Sequence, residues 1–148
     1  MEKWLTDKSP EALAQWLGQN FDGTLMGHLG MRSLEVGKER VVIEMPVHPG
    51  ITTPSGHVHA GAMVSLADTG ATFAAMAASG RATALDEMPV AVSISSQIVA
   101  NVQEGTLRAE STVSHPGRTL VTVTTRITAD CGKLLALVNS THFIRPPA

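Results

Sequence analysis

The chain has one cysteine, no tyrosine, three phenylalanines and two tryptophans in 148 residues, and each shortage removes a class of answer. A single thiol, Cys131, closes no intrachain disulfide, and with neither a second thiol nor closely spaced histidines beside it there is no ligand set for zinc. No metal or other cofactor is expected, and a reducing compartment, by default the cytoplasm, fits best. So few aromatic rings leave little to stack a nucleobase or to select an aryl group. Basic residues are also scarce: 11 Lys and Arg stand against 13 Asp and Glu, for a formal net charge of -2. They are scattered along the chain, which excludes the electrostatic footprint of a nucleic-acid binder. The opening stretch from Met1 to Pro10 lacks the apolar run and small-residue cleavage site of a signal peptide. Ala60 to Ser79 carries a single charge in its middle, but Ala, Gly, Ser and Thr dominate it. An aspartate at that depth in a bilayer costs a few kcal/mol, so no membrane span is expected.

The length suits one domain over residues 1–148, with an N-terminal helix and connection over 1–30 and the folded core over 31–145. Ser9-Pro10-Glu11 reads as an N-cap followed by proline at the first helical position, and Leu13, Trp16 and Leu17 recur at helical spacing. Gly23, Gly27 and Gly30 then break the chain. Met31 to Glu35 and Arg40 to Val47 flank Gly37-Lys38 as a hairpin, with Val41, Ile43, Met45 and Val47 on one face and Glu44 on the other. His48 to His59, with two prolines and two glycines, is an irregular loop.

His59 to Ser79 then reads as a helix of about five to six turns, apolar almost all round and therefore buried on most sides. Gly80 suits its C-terminal cap, and Arg81 to Glu87 is a connection. Val90 to Ala100, Thr106 to His115, Arg118 to Ala129 and Lys133 to Ile144 are strands, the last three separated by the turns His115-Pro116-Gly117 and Asp130-Cys131-Gly132. The sum is an α+β fold: an antiparallel sheet of five to six strands wrapped around one long helix, with a short helix before it.

The chemistry lies in Gly56-His57-Val58-His59-Ala60-Gly61 and the helix that follows. Gly56 delivers the backbone into a helix that opens with Ala60 and Gly61, so the unpaired amides of its first turn can be approached closely and form a ready oxyanion hole. Asp68 is the one ionisable side chain on that helix. Aspartate is a poor mid-helix residue and a buried carboxylate is costly, so its presence asks for a reason. Eight residues at about 1.5 Å each place Asp68 roughly 12 Å from Ala60, whereas reacting atoms must come within about 3–3.5 Å of each other. Two such helices packed antiparallel about a two-fold axis bring the acid of one subunit to the amides of the other, so the expected site belongs to a homodimer, alone or paired into a tetramer.

The run His59-Ala60-Gly61 followed by Leu66-Ala67-Asp68 resembles the His-Gly-Gly…Leu-Ala-Asp signature of the hotdog-fold acyl-CoA thioesterases of the PaaI-like branch. The likeness covers about residues 30 to 145. It implies a hotdog fold and hydrolysis of acyl-CoA to free acid and coenzyme A. It also implies that Asp68 acts as general base or nucleophile while the Ala60 N–H, next to His59, binds the thioester oxygen. Thr53 stands where the family often carries an asparagine, with Ser55 nearby. Ala91 stands where relatives put a hydroxyl on the strand after the helix, with Ser93 two residues on along the same face. Thr69 and Thr72 lie near Asp68 by helical spacing.

Plainer readings exist for each residue: a structural role for Asp68 across a helix interface, backbone bonding for His59, loop packing for His57, core packing for Met63 and Met76. Arg81, Arg118, Lys133 and Arg145 are candidates for the phosphates of coenzyme A, but such cations commonly serve solubility. The competing functions are a hydratase or dehydratase on the same fold and a non-catalytic acyl-CoA binding domain.

Overall fold

The computed structural model describes residues 9–80 and 87–146. Met1 to Lys8, Pro147 and Ala148, and residues 81–86 of the connection expected over Arg81 to Glu87, the candidate cation Arg81 among them, lie outside the described residues.

Helix α1, Pro10–Gln19, starts as its sequence predicts, with the Ala12 N–H donating to Ser9 Oγ at 3.3 Å. Its apolar stripe of Leu13, Ala14, Trp16 and Leu17 is buried. The segment expected only to break at glycines instead forms one further turn, α2, Leu25–His28. Gly27 permits that turn rather than ending it, because a Cβ there would overlap the Phe21 carbonyl oxygen.

Strands β1 (Arg32–Val36) and β2 (Val41–Pro46) form the first hairpin. A 3-10 turn at Pro49–Ile51 shortens the loop read as wholly irregular, and helix α3 runs over Ala60–Ser79. Gly80 caps α3 in the left-handed region at φ 60, its N–H bonding the Met76 carbonyl. Strands β3 (Val90–Ile98), β4 (Thr106–Pro116), β5 (Leu120–Thr128) and β6 (Leu134–Phe143) follow. Among the described residues the six strands make one antiparallel sheet in the order β1-β2-β4-β5-β6-β3.

Helix α3 touches every strand and lies on one face of the sheet. Alternation explains which residues it covers: Val41, Ile43 and Met45 of β2, Leu107 and Ala109 of β4, Val121, Val123 and Ile127 of β5, and Ala136 and Val138 of β6 are all buried. Phe21 stacks on Phe73 of α3, with ring centroids 6.1 Å apart, tying the N-terminal segment to the same core. Met63 and Met76 are core residues. This is the hotdog arrangement that the sequence resemblance implies.

Strand β2 departs from the one-sided pattern, because Val42 on the Glu44 face is buried too. Its cross-strand neighbours are Glu35 and Glu110. Arg40 reaches both, at 2.8 and 3.4 Å.

Strand β3 sits at the sheet edge. A bulge between Ala91 and Ser93 shifts its register, pairing Ala91 with His142 but Ser93 with Thr141. Residues directly opposite in a ladder share a face, so Ser93 does not continue the face of Ala91, as strict alternation suggested. Ile94 and Ile98 oppose the buried Ser140 and Ala136, yet stay 39% and 38% exposed. Helix α3 touches this strand but leaves these two side chains partly uncovered.

The helix approaches the sheet closely at Gly70. A Cβ there would stand 2.6 Å from Ser111 Oγ, which is itself held at 2.7 Å from Thr125 Oγ1 in the buried interior. Gly70→Ala should therefore destabilise the fold by about 1–3 kcal/mol through overpacking, despite alanine's better helix propensity. In urea unfolding, adding Ser111→Ala should return part of that loss. Equal stability of wild type and Gly70→Ala would mean that the helix does not lie this close.

Candidate active site

The N-terminal turn of α3 is built by His59. Its ring Nδ1 accepts the Gly61 N–H at 2.8 Å, and its carbonyl accepts the N–H of Ala62 at 2.9 Å and of Met63 at 3.4 Å. A ring nitrogen that accepts carries no proton, so the neutral His59 is the Nε2–H tautomer. This corrects one expectation: the Gly61 amide is engaged by the cap. The exposed Ala60 N–H is the first-turn donor without a partner among the described residues.

The approach to that amide is pinned by backbone contacts. His59 N–H donates to the Ile51 carbonyl at 2.8 Å, and Thr52 and Val58 form an isolated bridge. Asn101, which the sequence reading passed over, clamps both polar groups of Val58. Its Oδ1 accepts the Val58 N–H at 3.1 Å and its Nδ2 donates to the Val58 carbonyl at 2.9 Å. The loop hydroxyls are not aimed at Ala60. Thr53 Oγ1 lies 2.8 Å from Ser55 Oγ, which lies 3.1 Å from His57 Nδ1, while Gly56 supplies the positive φ of the turn. Thr53, Ser55 and His57 thus form a closed cluster that shapes the loop.

Asp68 is half-buried, with the edge of its carboxylate on the partly open face of α3. Gly61, Ser65, Asp68, Thr69 and Thr72 share this face, while Leu66, Ala67, Gly70 and Ala71 are buried against the sheet. Among the described residues Asp68 Oδ1 is buried without a hydrogen-bond partner. Burial alone pushes the Asp68 carboxyl above the usual carboxylate range. Among the described residues no charged side chain compensates it. Around it, Ser65 donates to the Gly61 carbonyl and Thr69 to the Ser65 carbonyl, each at 2.8 Å. Thr72 Oγ1 turns instead toward His142 Nδ1, 3.5 Å away.

Beside the first turn of α3 lies an open groove of about 370 Å³, walled by Leu25 and Leu29 on one side and by His59, Gly61, Ala62 and Ser65 on the other. Its floor is Gly50, Ile51 and Thr52. His48 ties floor to wall: its Nδ1 accepts the Gly50 N–H at 3.2 Å, which leaves Nε2–H to donate to the Leu29 carbonyl at 3.1 Å. Leu25 is 58% exposed at the rim. Neither leucine was singled out from sequence, because the segment holding them lacked a readable period.

Thus the structure sets His59 and Gly61 in the wall of the groove with Ala60 between them in the chain, places Asp68 two turns further along the helix, and keeps Thr53, Ser55 and Gly56 in a separate loop. Ala91 faces His142 across the β3–β6 ladder. Among the described residues no three His, Cys, Asp or Glu side chains gather in a way that could hold a metal ion, and no helix is long and apolar enough to cross a membrane.

A family model described as the thioesterase superfamily matches residues 55–136, more than half of the 148. A Deinococcus radiodurans protein provisionally named an esterase is 34% identical over 140 residues, covering 90% of this chain and 84% of that one. A Bacillus subtilis protein, also provisionally named an esterase, is 35% identical over 98 residues, covering 66% of this chain and 75% of its own. Among solved structures, a thioesterase from Haemophilus influenzae superposes with a TM-score of 0.81 at 23% identity, over 89% of this chain and 90% of that chain. A thioesterase superfamily member from zebra fish does so with a TM-score of 0.81 at 23% identity, over 94% of this chain and all (100%) of that chain.

The raised proton affinity of Asp68 makes stability depend on pH. The folded state holds this proton more tightly than the unfolded chain, so the Asp68 contribution is most favourable below the ordinary aspartate value, near pH 4. It is lost as pH rises through the higher folded-state value. Asp68→Asn should therefore be more stable than wild type at pH 7 in denaturant titrations, with the gain shrinking as pH falls toward about 4. An Asp68→Asn protein less stable at neutral pH would mean that the carboxylate has a partner that this geometry lacks.

Proposed function

The chain belongs to the thioesterase superfamily, and from that premise we propose that it hydrolyses acyl-CoA thioesters as a homodimer, in the manner of the PaaI-like branch. The observation that carries this reading is the pair of unsatisfied groups on one helix: an acid with a buried, unpaired oxygen and an exposed first-turn amide. The roughly 12 Å that a helix puts between them gives neither a reason within one chain. Two antiparallel copies of α3 give both a reason.

In the proposed site the substrate carbonyl lies between subunits. Its oxygen takes the Ala60 N–H of one copy, and Asp68 of the other removes a proton from the attacking water or attacks the carbonyl itself. As the C–S bond breaks, the thiolate of coenzyme A leaves and takes up the proton that Asp68 removed from water. On the direct-attack route water then cleaves the acyl–Asp68 anhydride, releasing the acid and restoring the carboxylate. A carboxylate whose proton affinity is raised by burial is a better base near neutral pH than an ordinary aspartate. Negative charge developing on the thioester oxygen meets an amide already held in place by the pinned loop, so little reorganisation is needed as the charge forms. Thr72, one turn from Asp68, supports the acid or the water. The groove between α2 and the start of α3 is then the acyl side of the site. Leu25 and Leu29 supply apolar wall, which matches an alkyl chain better than a charged acyl group.

The uncovered β3 edge supports the same assembly. Val90, Val92, Ile94, Ile98 and Val99 are all among the exposed large hydrophobics. A free strand edge lined with β-branched residues pairs readily with another such edge, and pairing between copies extends the sheet. Further pairing of dimers into a tetramer, and a cytoplasmic setting, remain part of the proposal.

Two substitutions test the reading on a panel of straight-chain acyl-CoA substrates, with released thiol as the signal. Asp68→Ala should remove turnover, and unchanged turnover would end the catalytic assignment. Ala60→Pro deletes a single N–H at the first helical position, where proline is well tolerated, and His59 already has the extended backbone that precedes proline. It should fold normally and lose about 10²- to 10³-fold in kcat, the scale of one oxyanion donor. Tight acyl-CoA binding without thiol release by the wild type would identify a binding domain instead.

A further inference from the structure

Four polar side chains are buried among the described residues: Ser111, Thr125, Ser140 and His142. Ser111 and Thr125 satisfy each other beneath Gly70. His142 and Ser140 are different, because they end the helix-facing row of β6 that begins with Ala136 and Val138, where apolar packing alone would suffice. The imidazole is 0% exposed, with Nε2 3.0 Å from Ser140 Oγ and Nδ1 3.5 Å from Thr72 Oγ1. Burial lowers its pKa to about 4, so it is neutral at physiological pH.

Thr72 breaks a pattern on α3. The hydroxyls of Ser65 and Thr69 bond back to the carbonyl four residues earlier, the usual refuge of a helical hydroxyl. The Thr72 hydroxyl faces the His142 ring instead, one turn after Asp68 on the same face.

We propose that His142 is a positioning residue for the reaction centre, clamped by Ser140 and holding the Thr72 hydroxyl so that its proton points toward Asp68 and the attacking water. The donor order follows from counting protons. Ser140 has no other partner among the described residues and is 3% exposed. If Nε2 carried the proton, the Ser140 O–H would be a buried donor with nothing to bond, which is costly. With Nδ1 protonated instead, Ser140 O–H donates to Nε2, Nδ1–H donates to Thr72 Oγ1, and Thr72 O–H is free for the site. No donor is wasted. Asp68 Oδ1, one turn earlier on that face, is buried without a partner among the described residues.

This inference rests on Asp68 as the reacting acid, and its test has two arms that fail separately. In protein carrying 15N-labelled histidine at neutral pH, the His142 signal, identified by its loss in His142→Asn, should report the Nδ1–H tautomer and shift toward Nε2–H in Ser140→Ala. An Nε2–H tautomer in wild type would overturn the donor order. In acyl-CoA turnover, His142→Leu should lower kcat about ten- to a hundredfold, the cost of misplacing a reacting group, with KM little changed. His142→Asn, which places an amide N–H where Nδ1–H stood, should recover most of it. In a Thr72→Val background the His142→Leu loss should vanish; the same loss in that background would show a packing effect independent of Thr72 and overturn the proposal. Should His142→Leu fail to fold, Ser140→Ala takes its place with the same dependence on Thr72. A wild type without turnover would remove the hydrolase reading, and the tautomer would still decide whether the hydrogen-bond chain exists.

Discussion

The rise of an α-helix sets the terms for this protein. At about 1.5 Å per residue, the acid at Asp68 and the amide at Ala60 are fixed too far apart to meet on one reacting carbonyl, and the helix holding both is locked to the sheet. Gly70 lies against Ser111, His59 caps the first turn and Gly80 the last. No local flexing brings the two groups together. Either each has an unrelated role, or a second copy supplies the missing half to each. The partly open stripe of Gly61, Ser65, Asp68 and Thr72, together with the uncovered β3 edge, is the surface on which a second copy would sit.

Within a single chain, Asp68 is a liability. It is half-buried, one oxygen lacks a partner among the described residues, and burial raises its proton affinity. Proteins keep such groups where function needs them and compensate elsewhere. The compensation here is a rigid surround: Phe73, Met63, Leu66 and Met76 are fully buried on the same helix, and the loop leading to Ala60 is held by the Asn101 side-chain amide on the Val58 backbone and by the His59 N–H on the Ile51 carbonyl. Stability lost at one carboxylate is spread over a core that can absorb it. In the proposed mechanism the same rigidity would keep the Ala60 N–H in position for a developing negative charge.

Much of this was legible in the sequence, for physical reasons. The six strands, the long helix and its glycine cap follow from period, length and turn residues, and Asp68 drew notice because aspartate fits poorly in an apolar helix. What stayed hidden depended on contacts between segments far apart in the chain. Gly61 was expected to donate to an oxyanion, but only the fold reveals that His59 takes its N–H. Ser93 was placed on the Ala91 face by strict alternation, which one bulge overturns. Gly23, Gly27 and Gly30 read as a break in the chain, whereas the close Phe21 carbonyl makes glycine necessary at position 27 inside the helical turn α2. Asn101 and His142 carried no local signal beyond a polar residue in or beside a strand, and their partners, Val58 and Thr72, lie 43 and 70 positions away.

The central claim is that each site draws its acid and its amide from different chains, and mixing two inactive variants tests it directly. Asp68→Ala and Ala60→Pro proteins are unfolded, combined in equal amounts and refolded together, and acyl-CoA turnover is measured. If the site spans two chains, each hybrid dimer has one site with both groups intact. Random pairing makes about half of the dimers hybrid with one good site of two, so about one quarter of wild-type activity should return. If both groups serve a site within one chain, or serve no common site, the mixture will be as inactive as its parents.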